Sequence, residues 1–316
     1  MWLFFKSREY ALWAWGGLSL ILGLTYTMVQ IDVAINEWFG AFYDSLQEAL
    51  AGRLTDANDL YALLYSFAGL AAIYVVVAVF VRFFTSHWCM RWRNSMAAYY
   101  HSKWQGNVEG SSQRVQEDTL KLARILETLG VGLVEALMVL LFFLPLLHQL
   151  SKQVTELPFL GQVDNALVWI AILTALGGTV LLAIVGQKLP GIEYDIQKEE
   201  AAYRKELVYS EDHPIKVPTV TDLYNKVKSI HYKSFFHYLY FDATKFSFLQ
   251  LMVIVPYIAL TPTIVSGMVT LGFVSQISRA FGKVAESLQY VVRSWSVIVE
   301  LISVHKRLKE FENVLK

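Results

Sequence analysis

The sequence has 316 residues with 27 basic and 27 acidic side chains, so its formal net charge at pH 7 is zero. Apolar residues make up 55% of it and charged residues 17%, with a mean hydropathy of +0.40, where an ordinary soluble domain carries about a quarter charged residues. This composition argues against the two soluble domains that the length allows, the balanced charge offers no basis for a nucleic-acid partner, and a single cysteine, Cys89, excludes an intrachain disulfide.

The charge is confined to blocks between long uncharged runs, and the runs are long enough to cross a bilayer core, which takes about 20 mostly apolar residues per helix. The first predicted span is Leu12–Ile31, preceded by Lys6 and Arg8 and followed by an interfacial aromatic stretch, Asn36–Tyr43. It lacks a small-residue cleavage site and reads as a retained helix, not a signal peptide. The second is Tyr61–Phe84, and the third is Glu127–Leu147, with Glu135 inside it and Pro145 near its end. The fourth is Ala166–Leu189. The fifth, Phe246–Thr263, is expected to be kinked or broken by Pro256 and Pro262. The sixth begins near Ile264, spans to about residue 290, and continues as an amphipathic helix to Leu308.

Basic residues set the orientation. The connections after spans two and four are rich in Arg and Lys, whereas those on the opposite side hold only Arg53 and Lys152 and the last hairpin holds none. Both basic connections and both termini are therefore expected on the cytoplasmic side. The stretches from Val81 to Trp104 and from Ile192 to Asp212 are almost free of Gly and Pro. Each is expected to extend the preceding span out of the membrane as a helix, with a return helix leading into the next span.

Several segments have a familiar text. The runs EGSSQRVQEDT (Glu109–Thr119) and KLPGIEYDIQKEEAAYRKELVYSED (Lys188–Asp212), together with AINEWFGAFYDSLQEAL from Ala34 and FFTSHWCMRWR from Phe83, resemble signature segments of the SbmA/BacA-like peptide transporters. The likeness extends over nearly the whole chain. It implies a homodimeric importer of peptides and peptide-like antibiotics in the bacterial inner membrane, driven by protons as the coupling ion and needing no other cofactor. It further implies an all-α fold like the membrane domain of ABC exporters. The expected organisation is a single transmembrane domain over residues 1–316. Well-known members carry an additional N-terminal span with no counterpart in this sequence.

In ABC exporters a helix like Val269–Phe311 leads into a nucleotide-binding domain, and with the sequence closing at Lys316 none is expected here. A phosphate-binding loop is not found either: Gly282-Lys283 is followed by Val284, and position 277 is Ile where such a loop needs Gly. ATP binding by this chain is not expected. The main alternative is the membrane subunit of an ABC system whose ATPase is a separate chain. A membrane assembly factor without transport activity is a further one.

Proton coupling needs titratable groups in or near the membrane, and carboxylates there are costly unless they have a function or a partner. Glu135 and Glu127 meet this condition, and the resemblance links Glu127 to coupling. On a helix, Glu193, Gln197, Glu200, Arg204 and Glu211 fall within about 60° of one another. That stripe is either a ladder facing a cavity or an ordinary solvated face with i,i+4 pairs. The family match of Glu200, Arg204, Glu206 and Glu211 favours the ladder, and Arg114 and Glu117 in the first signature join the candidates. In the last helix Arg279, Glu286, Arg293 and Glu300 recur every seven residues, a stripe that suits a cavity or a dimer interface. The seven histidines show no metal-ligand spacing and no hydrolase motif is present, so neither metal chemistry nor an enzyme is expected. Trp13, Trp15, Trp38, Trp88, Trp92 and Trp104 are read as interfacial anchors, with peptide stacking by Trp38 or Trp92 as the lesser option.

Overall fold

A computed structural model describes residues 3–54, 56–103, 114–154, 156–158, 161 and 163–314. Trp104 and the first part of the 109–119 signature lie outside them. Among the described residues there is no strand, only an isolated bridge between Leu157 and Gly161. The helices are α1 (Leu3–Lys6), α2 (Arg8–Ala11), α3 (Gly17–Leu50), α4 (Ala57–Lys103), α5 (Thr119–Ile125), α6 (Val131–Ser151), α7 (Ala166–Gly186), α8 (Leu189–Asp212), α9 (Val217–Val265), α10 (Leu271–Arg293) and α11 (Trp295–Val314). Among the described residues, wide π turns at Leu12–Gly16 and Leu126–Gly130 join neighbouring helices, and another, Arg114–Asp118, leads into α5.

Among the described residues, five helical segments are long and apolar enough to cross a membrane: Arg8–Leu50, Ala57–Lys103, Arg114–Ser151, Ala166–Gly186 and Val217–Val265. They contain the first, second, third and fifth predicted spans, and the fourth, expected to reach Leu189, ends at Gly186. Large apolar side chains such as Val79, Leu141, Leu173, Ile184 and Val253 stand exposed along them, as lipid contact requires and water does not tolerate on this scale. The sixth span is not among the five. α10 carries Arg279, Lys283, Glu286 and Arg293 within 23 residues, and this lowers its apolarity below that of a lipid-facing helix.

The long helices also show where charge is carried. α4 has 47 residues, or about 70 Å at 1.5 Å per residue, more than twice a bilayer core of about 30 Å. α9, with 49 residues, is of similar length. Each therefore contains a span and a polar extension: α4 carries the one expected from the Gly- and Pro-poor stretch after Val81, and α9 is the expected return helix into the fifth span. After α7 the chain does not run straight on: it turns at Gln187 and Lys188 and restarts at Leu189, with Pro190 in the first turn, where the missing N–H costs nothing.

Two further boundaries differ from expectation. α9 passes through Pro256 and Pro262 as one helix, so of the expected kink or break the break does not occur; in membrane helices neighbouring groups re-satisfy the backbone that proline frees. The last helix starts at Leu271, not Ile264, because Gly267 takes a left-handed φ of 71° and turns the chain.

The chain forms two compact units. The first comprises residues 1–173 and 256–316 and the second Thr174–Val255. In the first, α3 packs on α4, and α10 packs against both α3 and α6. α11 returns onto the end of α4 and onto α5, where Met96, Tyr100, Leu122, Val304, Leu308 and Phe311 make a buried cluster. In the second, α7 meets α9 at Gly178, where the Phe248 ring occupies the space a β-carbon would need, and at Gly186, where the Phe241 ring would stand 3.0 Å from one.

Candidate functional site: buried charge among the spans

The first unit holds α10 in place from end to end. Its opening turn has backbone N–H groups that no intrahelical carbonyl can take. Gln47 Oε1 accepts from Leu271 N at 2.8 Å, Asp44 Oδ1 from Gly272 N at 2.8 Å, and Thr270 Oγ1 from Phe273 N at 3.2 Å. Two of the three acceptors are side chains of α3. Just beyond, Gly40 and Gly272 let the backbones of α3 and α10 approach so closely that a β-carbon on Gly272 would overlap the Gly40 carbonyl.

Further along the same seam, Gln276 donates to the Glu37 carbonyl at 3.4 Å, and the Arg279 guanidinium lies 3.9 Å from the centre of the Phe39 ring. Next comes an ion pair, Lys283 Nζ to Asp32 Oδ2 at 2.7 Å, with the Asp32 side chain 8% exposed. Glu135 on α6 and Tyr74 on α4 lie within electrostatic reach of this pair, and Glu286 on α10 within reach of Glu135. The structure thus gathers two of the sequence candidates, Glu135 and Arg279, around a pair that the sequence pattern does not reveal. Glu286 and Arg293 stand exposed on α10, and Arg293 donates to Gln289 Oε1 at 3.1 Å.

The remaining candidates of this unit sit at π turns, which recur at functional sites. Glu127 is half-buried in the turn Leu126–Gly130 and accepts a hydrogen bond from Ser86 Oγ. Tyr290 reaches the same turn and donates to the carbonyls of Thr128 and Leu129 at 3.3 and 3.2 Å. Glu117 lies in the turn Arg114–Asp118 and pairs with Lys121 at 2.8 Å. Its neighbour Asp118 is the buried member: Arg307 of α11 grips it with Nε to Oδ2 at 3.0 Å and Nη2 to Oδ1 at 2.7 Å. These hydrogen bonds hold the Arg307 guanidinium even further above the titratable range than an ordinary arginine.

In the second unit α8 is continuous through Glu193, Gln197, Glu200, Arg204 and Glu211, so the five share one face as expected. The Gln197 side chain is not among those described. Glu200 Oε1 lies 3.1 Å from Nε2 of His231 on α9, a contact that becomes an ion pair when the imidazole is protonated. Glu193 is close enough to Tyr238 on α9 to act on its hydroxyl electrostatically. Glu206 does not join this face: at 100° per residue it falls with Asp195 and Glu199 on the other side of α8. Asp195 and Glu199 line an open groove of about 430 Å³ with Lys226, Ser229 and Lys233.

Two aromatic candidates are engaged within the fold. Trp38 donates to the Leu63 carbonyl at 2.7 Å and stacks on Phe42 at 4.8 Å between ring centres, while Trp92 packs against Phe4 and Trp88. Among the described residues no group of His, Cys, Asp and Glu side chains is arranged to hold a metal ion.

Long apolar helices with lipid-facing apolar side chains and charges paired between them define a multi-pass, all-α membrane protein. The chain belongs to the SbmA/BacA-like family, whose model matches residues 7–316. Among curated proteins it is 23% identical over 325 aligned residues to the inner membrane ABC transporter ATP-binding protein YddA of Escherichia coli, covering 94% of this chain and 56% of that protein. It is 21% identical to an uncharacterized ABC transporter ATP-binding protein of Synechocystis sp., covering 92% of this chain and 46% of the relative. To ABC transporter D family member 2, chloroplastic, of Arabidopsis thaliana it is 22% identical, covering 94% and 42%. The chain therefore spans about half the length of the curated relatives it matches.

Proposed function

We propose that this chain is a proton-gradient-driven importer of peptides and peptide-like antibiotics, acting as a homodimer in the bacterial inner membrane with both termini cytoplasmic. Membership of the SbmA/BacA-like family supports the transporter class. The observation that carries proton coupling is the carboxylate face of α8, with Glu200 held against His231. The contact is an ion pair only when the imidazole is protonated. Glu193, Glu200 and Glu211, with Arg204, then form a ladder along an alternating-access cavity. Glu127 in its π turn, Glu117, Glu206 and Arg114 complete the coupling and cavity set. Protons are the coupling ion, and the chain itself uses no ATP.

A second reading has one observation in its favour. The curated relatives are named as ABC transporter proteins, two of them as ATP-binding, and this chain matches about half of each. On that reading it is a membrane subunit served by an ATPase.

Uptake of a fluorescent cationic peptide into proteoliposomes separates the two. The proposal predicts uptake driven by an inward proton gradient with no nucleotide present, and loss of most of that uptake in Glu200→Gln. Uptake that ignores the gradient and requires an added ATPase with ATP would overturn the proposal in favour of the second reading.

A further inference from the structure

The Asp32–Lys283 pair is expensive to maintain unless it has a use. Removing two charges from water costs several kcal/mol per ion in real proteins, and a well-packed apolar pair often serves stability as well or better. Here the pair joins α3, which lies within a span, to α10, which packs between α3 and α6. Glu135 lies within electrostatic reach of both Lys283 and Asp32, and Arg279 within reach of Asp32. Among the described residues, Tyr74 from α4, Tyr43 from α3 and Glu286 from α10 are further titratable groups within reach of them.

A second, independent observation points to the same place. Asn36 lies one helical turn from Asp32 on α3, is 1% exposed, and has neither amide atom in a hydrogen bond. Rungs on either side fix its position. Asp32 meets Lys283, Phe39 meets Arg279, and Gly40 meets Gln276, so Asn36 faces the stretch of α10 between Lys283 and Gln276. Arg279 Nε in that stretch is also buried without a partner. Buried polar atoms are almost always satisfied in native proteins. A fully buried amide with both atoms unmet, one helical turn from a carboxylate, can serve that group in either state, its NH2 donating to a carboxylate and its carbonyl accepting from a protonated acid.

We propose that Asp32 is a proton-binding site within the membrane and that Lys283 exchanges partners when it fills. A proton adds to the Asp32 carboxylate, the Lys283 ammonium keeps its own proton, and its ion pair passes to the Glu135 carboxylate on α6. Loss of the proton reverses the exchange. α10 then shifts its allegiance from α3 to α6, and the charged pair is the two-state element that proton binding biases. The inference rests on proton coupling for its use in transport, but the site is detectable without any transport.

The test is infrared difference spectroscopy of the purified, lipid-reconstituted full chain on acidification. The native protein is expected to gain a protonated-carboxyl C=O band that is lost in Asp32→Asn and returns, shifted, in Asp32→Glu. Glu135→Gln removes the second partner of Lys283, and is expected to move the onset of the band to more acid pH. A native band that survives Asp32→Asn overturns the site, and an unmoved onset in Glu135→Gln overturns the exchange. Should Asp32→Asn fold poorly, Asp32→Asn with Lys283→Met removes both charges together and gives the same reading. A band that behaves as expected alongside absent peptide uptake sinks the import proposal and leaves the site standing. Uptake without the band does the reverse.

Discussion

Arg307→Ala is expected to cost roughly 3–5 kcal/mol of stability, the usual result of stripping the partner from a buried ion. Asp118 keeps only 2% of its side chain exposed, and both of its oxygens take hydrogen bonds from the Arg307 fork. The alanine variant leaves a carboxylate buried without its counter-charge. Arg307→Lys restores the charge but not the paired geometry, and should recover part of the loss. Replacing both residues with apolar ones of similar size should cost much less than Arg307→Ala alone. A thermal midpoint from fluorescence-detected size exclusion of the solubilised protein checks all three. Equal midpoints for native and Arg307→Ala would show that α11 is held by its apolar contacts alone.

Gly272→Ala is expected to destabilise by about 1–3 kcal/mol, the range for overpacking a tight contact. The added β-carbon would meet the Gly40 carbonyl and the Asp44 carboxylate. Backbone cannot rotate aside as a flexible side chain does, so α3 and α10 must separate. That separation loosens the cap Asp44 provides to α10 and the Asp32–Lys283 rung beyond it. Gly282→Ala on the same helix is the control. Nothing lies within 4 Å of the point where its β-carbon would stand, and removing a glycine from a helix interior normally gains about 0.5–1 kcal/mol. Opposite shifts of the two midpoints would locate the helix contact at Gly272; parallel shifts would refute it.

The spans are legible in the sequence because a bilayer demands long apolar runs, and five of them satisfy that demand by composition alone. The sixth is the weakest by the same logic. α10 keeps its apolar face inward and gives its other face to charge, so hydropathy alone does not distinguish it from a surface helix. Its seven-residue stripe of Arg279, Glu286 and Arg293 is readable, but Lys283, between two members of that stripe, stands out in the sequence only as part of a failed phosphate-loop match. Asp32 is lost to a boundary. Hydropathy closes the first span at Ile31, one residue short of the carboxylate, although the helix continues to Leu50.

The partners themselves are beyond the reach of sequence pattern. Asp32 and Lys283 are 251 residues apart, and Asp118 and Arg307 are 189 apart; helical periodicity says which face a residue occupies and nothing about the helix it will meet. The α8 stripe shows the other side of this limit. Periodicity places Glu193, Glu200, Arg204 and Glu211 together, and the fold keeps them so, yet Glu200 takes its partner from α9, in a histidine that by spacing is merely one of seven scattered ones. Glu206 is a candidate by family likeness alone, and the helix puts it on the other face.

The most direct test of proton-driven import is to follow the proton itself. Proteoliposomes containing the purified chain and a trapped pH dye, set with a peptide gradient and no proton gradient, should acidify inside when cationic peptide is added outside. The proposal predicts acidification that rises with peptide entry and is abolished in Glu200→Gln. Peptide accumulating inside while the internal pH stays constant would contradict it.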